Sequence, residues 1–379
     1  MRNSFLEYYG KHYISPVHQD ISNMELHFER RRKLYRQCGI PVQTFRDTEI
    51  LEVGPGSGYN TLAFFRWNCA HVDLVEANEK GICDMRELFK EHNIPSEKYQ
   101  IFPCEIENYV SDKRYDIIIA EGFIQHLPNQ QQILKKLQSL AADKGIVILT
   151  CSDQLCYFIE MMKRLVARFL VKDILDYEAQ VSYLSGLFEQ QLAGLKGVSR
   201  PARDWVQDMI LGSSSNFTAQ LLNLAQAISC FQKDYDILGT SPQMFTDYSW
   251  YKNIWFNYKE DYKQQYNRKK TSLLMADMPE SVLPDKQVEM VSERFHYIIE
   301  LAAEFEKNFE SCYIKHILEQ MNGIEKEVSV IDNGFMMVFC EIKMALKALI
   351  ETGSVDFDQY PHFFQAFGRT EQYIGFEKK

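Results

Sequence analysis

Leu51-Glu52-Val53-Gly54-Pro55-Gly56-Ser57-Gly58 is the stretch that decides how this chain is read. A short apolar run, Glu49–Val53, has the length and composition of a buried strand. Three glycines at alternate positions follow, and then a helical pattern from about Tyr59 to Trp67. A strand that passes through a tight turn into a helix forms the crevice where open α/β sheets bind ligands. Glycine suits that turn because it tolerates positive φ and lets the backbone approach a ligand closely. A dinucleotide fingerprint, G-x-G-x-x-G, would need glycine at position 59. Tyr59 stands there, so the spacing is G-x-G-x-G instead.

Working outward, strands and helices alternate as far as Ser152. Val72–Glu76 reads as a second strand, followed by a helix through Met85 and Phe89. Tyr99–Phe102 is a third strand, and Tyr115–Ala120 a fourth, buried on both faces. Asn129–Ala142 is a helix, and Gly145–Thr150 a fifth strand. This alternation predicts a doubly wound, mostly parallel sheet with right-handed crossovers. Glu76 ends strand two, twenty residues after Gly56. An acid at that tip can accept hydrogen bonds from both hydroxyls of a ribose, a geometry shared with NAD sites.

Before the sheet, residues 1–23 read as an irregular arm rich in Tyr and His, including His12 and His18. Met24–Cys38 reads as a helix with Ser22 as N-cap and Gly39 at C′. Its apolar face carries Met24, Phe28, Tyr35 and Cys38. After Ser152 the alternation stops. Residues 155–232 read as helices broken near Gly197–Pro201 and Gly212–Ser215. An aromatic stretch, 245–266, holds Trp250, Tyr251, Trp255, Phe256 and Tyr258. Further helices are expected over Lys286–Phe309 and Met336–Glu351. Gln372–Glu377 reads as a strand returning to the sheet beside the fifth. The expected organisation is an N-terminal arm and helix over 1–40, a cofactor-binding core over 41–152, a mainly helical cap region over 153–370, and the C-terminal strand over 371–379.

The bulk numbers narrow the function. A chain of 379 residues, 46% hydrophobic and 25% charged, has the composition of a soluble globular protein. No apolar run approaches the ~20 residues that span a bilayer, and no signal-peptide pattern opens the chain, so a cytoplasmic protein without membrane contact is expected. Nine scattered cysteines without a CxxC pair suggest free thiols and no metal site. The formal net charge of −10 argues against nucleic-acid binding, which needs a basic footprint. The one dense basic run, Arg30-Arg31-Arg32-Lys33, lies beside Glu25 and Glu29 and reads as a solvated helix face.

Glu-x-Gly-x-Gly-x-Gly with the strand-two acid resembles motif I and its partner in class I, Rossmann-like S-adenosylmethionine-dependent methyltransferases. Tyr115-Asp116-Ile117-Ile118-Ile119-Ala120-Glu121-Gly122 and His126-Leu127-Pro128 look like the strand-four region of that class. The resemblance covers roughly residues 48–152. It implies an α/β, Rossmann-like doubly wound sheet with large α-helical additions, and S-adenosyl-L-methionine as cofactor. It implies that Gly54, Gly56 and Gly58 pass under the methionine and ribose, that Glu52 orients the methionine amino group, and that Glu76 holds the ribose. The adenine-contacting position after strand three falls on Glu105 or Cys104. Glu121 would face the methyl group or the methionine end, or else serve as a structural cap.

Methyl transfer to an activated sulfonium carbon mainly needs an aligned, desolvated nucleophile, and a base only if that nucleophile must lose a proton. His126 is the best-placed base, with Glu121 beside it; a packed histidine before Pro128 is the alternative. The expected substrate is a small molecule methylated on oxygen or nitrogen. The aromatic stretch 245–266 would line its pocket or form an ordinary core. The arm from Tyr9 to His18 is expected as a lid, with the helical additions over the crevice, and a homodimer is compatible with the sequence. Two other readings remain: transfer of an aminocarboxypropyl group from the same cofactor, and a non-catalytic interaction module. After strand four the chain lacks the Asp/Asn-Pro-Pro-aromatic motif of amino-methylating DNA enzymes.

Overall fold

The structure, a computed structural model, describes all residues except 1–3, 16–17, 196–199, 246–249, 251 and 253–260. The chain divides into two compact units. The first comprises residues 1–152, 222–266 and 371–379; the second comprises 153–221 and 267–370. The first thus takes in residues 222–266, which the sequence groups with the helical region.

The first unit is built on a sheet of β1 (Glu49–Val53), β2 (His71–Val75), β3 (Tyr99–Phe102), β4 (Tyr115–Ala120), β5 (Ala141–Cys151), β6 (Tyr235–Ser241) and β7 (Gln372–Lys378). Their order is β3-β2-β1-β4-β5-β7-β6. The first five pair in parallel, and β7 runs antiparallel to both β5 and β6. The central strands are continuous apolar runs because both faces are covered: Ile50, Leu51, Ile118, Ile119, Val147 and Ile148 are fully buried. The helices are α1 (Ser4–His12), α2 (Met24–Gln37), α3 (Leu62–Arg66), α4 (Glu79–Glu91), α5 (Gln130–Leu140) and a later one at Leu224–Phe231.

The five expected strands and the returning C-terminal strand all form. β6 has no counterpart in the sequence reading. It is an edge strand with a register shift between Ile237 and Gly239, so its side chains lack a clean alternation. The backbone of Gln37–Gly39 passes directly over it: a Cβ on Gly239 would lie 2.7 Å from the Gln37 carbonyl oxygen. That contact anchors the C-terminal end of α2. Two details of α2 differ from expectation. Asn23, not Ser22, is the N-cap, its side chain accepting from the Leu26 N–H. The buried stripe is His27, Arg31 and Tyr35 rather than Met24 and Phe28, which are half-buried. Arg31 therefore leaves the solvated face read from the basic run, while Arg32 and Lys33 remain outside and pair with Glu29.

The second unit is helical, with its longest helices at Phe158–Leu170, Tyr177–Ala193, Asp285–Asn308, Ser311–Gly323 and Asn333–Thr352. Every residue from Phe158 to Ala167 is buried. Phe158 meets Phe295 edge-on at 4.4 Å between ring centroids. Arg164, buried with them, is paired to Glu306 and donates to the Gly212 carbonyl at 2.7 Å. The break expected near Gly197–Pro201 and most of the aromatic stretch (Tyr251, Trp255, Phe256, Tyr258) lie wholly or partly outside the described residues. All nine cysteines are free thiols. Among the described residues no helix is long and apolar enough to cross a membrane, and no cluster of His, Cys, Asp and Glu is placed to hold a metal.

Candidate functional site

The loop between β1 and α3 is built on positive φ. Gly54, Gly56 and Gly58 have φ of +70°, +58° and +80°. The Gly54 N–H donates to the Val75 carbonyl at 2.9 Å, which ties the loop to the end of β2. At Gly58 a Cβ would sit 2.7 Å from Met85 Cγ and 3.0 Å from Phe89 Cε1. Gly58→Ala should therefore destabilise the protein by roughly 1–2 kcal/mol from left-handed strain alone, measured by chemical denaturation. A loss below ~0.5 kcal/mol, ordinary for a surface substitution, would mean that the loop relaxes without cost.

Glu76, the first residue after β2, turns back onto this loop. Its Oε2 accepts the Gly56 N–H at 2.8 Å and its Oε1 accepts the Asn78 N–H at 2.7 Å. Burial raises its carboxyl, and the backbone donors pull it partly back. Asn78 in turn caps α4 through Gly81 N–H at 2.7 Å. Glu52, in β1, is 3% exposed. Burial pushes its carboxyl up to about 8, against the pull of the Thr61 hydroxyl, which donates to Oε2 at 2.6 Å. Glu121 and Glu76 push in the same direction as burial.

Glu121 follows β4 and is held from α2. A single nitrogen of Arg31, Nη2, donates to both of its oxygens at 2.7 Å. The Tyr35 hydroxyl donates to Oε1 at 2.7 Å. Asn60 Nδ2 approaches Oε2 at 3.5 Å. Tyr373, on β7, also faces Arg31, and burial drives its phenol well above the ordinary value.

Three of the acids singled out in the sequence, Glu52, Glu76 and Glu121, thus gather around the glycine loop. Cys104 and Glu105 sit after β3; the thiol is half-buried and raised by that burial, and Glu105 is exposed at the N-terminus of a single turn, Ile106–Asn108. His126 is half-buried and ends the turn Ile124–His126, its backbone N–H donating to the Phe123 carbonyl at 3.1 Å. The arm reaches the loop as well. Ser15 Oγ lies 2.6 Å from Ser57 Oγ, Gln19 donates to Asn60 at 3.1 Å, and the His18 ring meets Tyr59 edge-on. Arg31, Tyr35, Thr61 and Tyr373 were not legible as site residues: each reads as an ordinary helix or strand position, and only folding places them beside the acids.

The donor set fits S-adenosylmethionine. Buried carboxylates around a glycine-lined turn match a ligand that carries an ammonium, a sulfonium and a ribose diol. When bound, that group supplies an electrophilic methyl; the chain's own part is to hold it and exclude water.

Known proteins point the same way. Residues 27–196 match a family model described as a methyltransferase domain. The ubiquinone biosynthesis O-methyltransferase of Rickettsia bellii is 31% identical over 106 residues, 27% of this chain and 42% of that protein. Trans-aconitate 2-methyltransferase of Escherichia coli is 23% identical over 134 residues, 35% of this chain and 50% of that protein. The chain thus spans half or less of the length of these curated relatives. Among solved structures, the N-methyltransferase NodS from Bradyrhizobium japonicum, in complex with S-adenosyl-l-homocysteine, has 14% identity and a TM-score of 0.29, covering 34% of this chain and 63% of that one. Sheet order and glycine loop agree with that match: residues 27–196 are similar to a methyltransferase domain, and the strand order is that of a Rossmann-like doubly wound sheet.

Proposed function

We propose that the protein transfers the methyl group of S-adenosylmethionine to a small molecule, with an oxygen acceptor favoured over nitrogen. The observation that carries the reading is Glu76. Its carboxylate is fixed by Gly56 and Asn78 at the mouth of the glycine loop, where a ribose diol would meet it. Tyr59, in place of a third fingerprint glycine, disfavours a nicotinamide dinucleotide. Support for oxygen comes from the sequence relatives, one of which is named an O-methyltransferase. The acidic balance, −10 overall, disfavours a nucleic-acid substrate.

In this reading Glu52 takes the methionine ammonium, Glu76 the ribose, and Cys104 or Glu105 the adenine edge. Glu121 faces the methionine end, and His126 is the candidate base on the acceptor side. The arm closes the loop side of the cofactor through Ser15, His18 and Gln19. Calorimetry should show binding of S-adenosylmethionine and S-adenosylhomocysteine, and no binding of NAD or NADP. Nicotinamide binding without adenosylmethionine binding would overturn the reading. Product analysis separates methylation, which leaves S-adenosylhomocysteine, from aminocarboxypropyl transfer, which leaves methylthioadenosine.

A further inference from the structure

We propose that Arg31 is a positioning residue for this transfer: from α2 it holds Glu121, at the end of β4, as an oriented anion at the methionine end of the cofactor site. The inference rests on the methyltransferase reading above and adds to it a residue outside every motif that carried the resemblance.

Three observations support it. The first is that α2 does not need this ion pair to dock. Its C-terminal turn lies directly on the β6 backbone at Leu238 and Gly239. Its last turn also packs Tyr35 against Phe45, Phe64 and Trp67. Its first turn places the His27 ring 3.0 Å from the Tyr59 carbonyl oxygen. Burying a charge pair at such a place is a weak route to stability, because the desolvation of both ions offsets their attraction.

The second is the way the donors divide. Oε1 of Glu121 receives both the Arg31 nitrogen and the Tyr35 hydroxyl at 2.7 Å. Oε2 receives the same Arg31 nitrogen at 2.7 Å and only a long approach from Asn60 at 3.5 Å. A carboxylate has about four lone-pair sites. The oxygen with capacity left is therefore Oε2, the one beside Asn60, which continues the glycine loop. The shared Arg31 nitrogen and the Tyr35 hydroxyl hold the carboxylate, and its open oxygen lies on the side of Asn60.

The third is the distribution of charge. Arg31 is faced by Glu121 and by the phenols of Tyr35 and Tyr373. His27 on its own helix is pushed toward the neutral form, first by burial and then by Arg31. Glu52, Glu76 and, just before β7, Glu371 supply the remaining carboxylates in this region. Arg31 is the guanidinium committed to Glu121, while Glu52 is satisfied by a hydroxyl alone. The arrangement gives Glu121 its counter-ion before any ligand arrives and leaves Glu52 to be ionised by the ligand.

The test compares Arg31→Gln, Arg31→Lys and the double variant Arg31→Gln with Glu121→Gln. Thermal melting and calorimetric binding of S-adenosylhomocysteine are measured on the full chain. Arg31→Gln should lower the melting temperature and weaken binding roughly tenfold, the size of one charged hydrogen bond. Arg31→Lys should recover part of the affinity. The double variant, which leaves no unpaired buried charge, should melt near the wild type yet still bind weakly. If the double variant binds as tightly as the wild type, Arg31 only docks α2 and the proposal is wrong. Should Arg31→Gln fail to fold, the double variant decides the question in the same way. Failure of the wild type itself to bind S-adenosylhomocysteine would overturn the methyltransferase reading and this proposal together, whereas equal binding by wild type and double variant overturns this proposal alone.

Discussion

Glu76→Ala should weaken S-adenosylhomocysteine binding by about ten- to a hundredfold while the protein stays folded. That range comes from the ligand side. A ribose hydroxyl bonded to a buried carboxylate is a charge-assisted contact worth ~1.5–3 kcal/mol, which is that range in dissociation constant. The structure adds a second contribution. Glu76 also accepts the N–H groups of Gly56 and Asn78, so its removal leaves two backbone donors, one in the loop and one at the cap of α4, without that partner. The loop that must sit under the cofactor then loses one of its ties to the end of β2, keeping that of Gly54 to Val75. Glu76→Gln separates the two effects, because an amide oxygen can keep one backbone donor but not serve both and a diol. The expected order of affinity is wild type, then Gln, then Ala, by isothermal calorimetry on protein with an unchanged far-ultraviolet spectrum. An unchanged dissociation constant for the Ala variant would remove the ribose from the tip of β2.

Cofactor affinity should rise roughly tenfold per pH unit between about pH 6 and 8, and level off above. The cause is Glu52. Burial pushes its carboxyl from 4.5 to about 8, helped by Glu121 and Glu76 and opposed by Thr61 and Arg31. The free protein near neutrality therefore holds a proton on Glu52. A ligand with an ammonium and a sulfonium favours the ionised acid, so binding below about pH 8 releases that proton. Calorimetry in buffers of different ionisation enthalpy would count it. The same shift makes a statement about folding. In the unfolded chain Glu52 ionises near 4.5, so the folded form alone holds the proton between that value and about 8. The stability this group contributes is complete below 4.5 and is lost as pH rises through about 8. Glu52→Gln should accordingly melt close to the wild type near pH 4.5 and increasingly above it towards pH 8. It should also abolish the pH dependence of binding. Binding that is flat from pH 6 to 8, with no proton released, would mean that the ligand's cation does not meet Glu52.

Both expectations draw on residues that stand in the motif itself, and that is where the sequence was most legible. β1 and β4 are apolar runs long enough to be read as buried strands. The glycines are readable because a backbone at positive φ admits few other residues. β6 was not readable: it is an irregular edge strand whose pairing with β7 joins residues more than a hundred positions apart. Its place could not be inferred before the C-terminal strand was seen to pass between it and β5. Arg31 was read as part of a solvated basic face, a sound reading of local charge that a distant carboxylate overrode.

The sequence by itself determined the doubly wound core, the ligand-binding turn and the acid at the tip of strand two. Those features follow from local rules: hydrophobic period, φ preference and the fixed spacing of a strand–helix–strand unit. Only the tertiary structure decided which charges share a burial site. Whether a carboxylate is ionised, and which oxygen it leaves open, depends on the desolvation and counter-ions supplied by segments far apart in the chain. Arg31 from α2, Thr61 from the entry to α3 and Tyr373 from β7 supply them here.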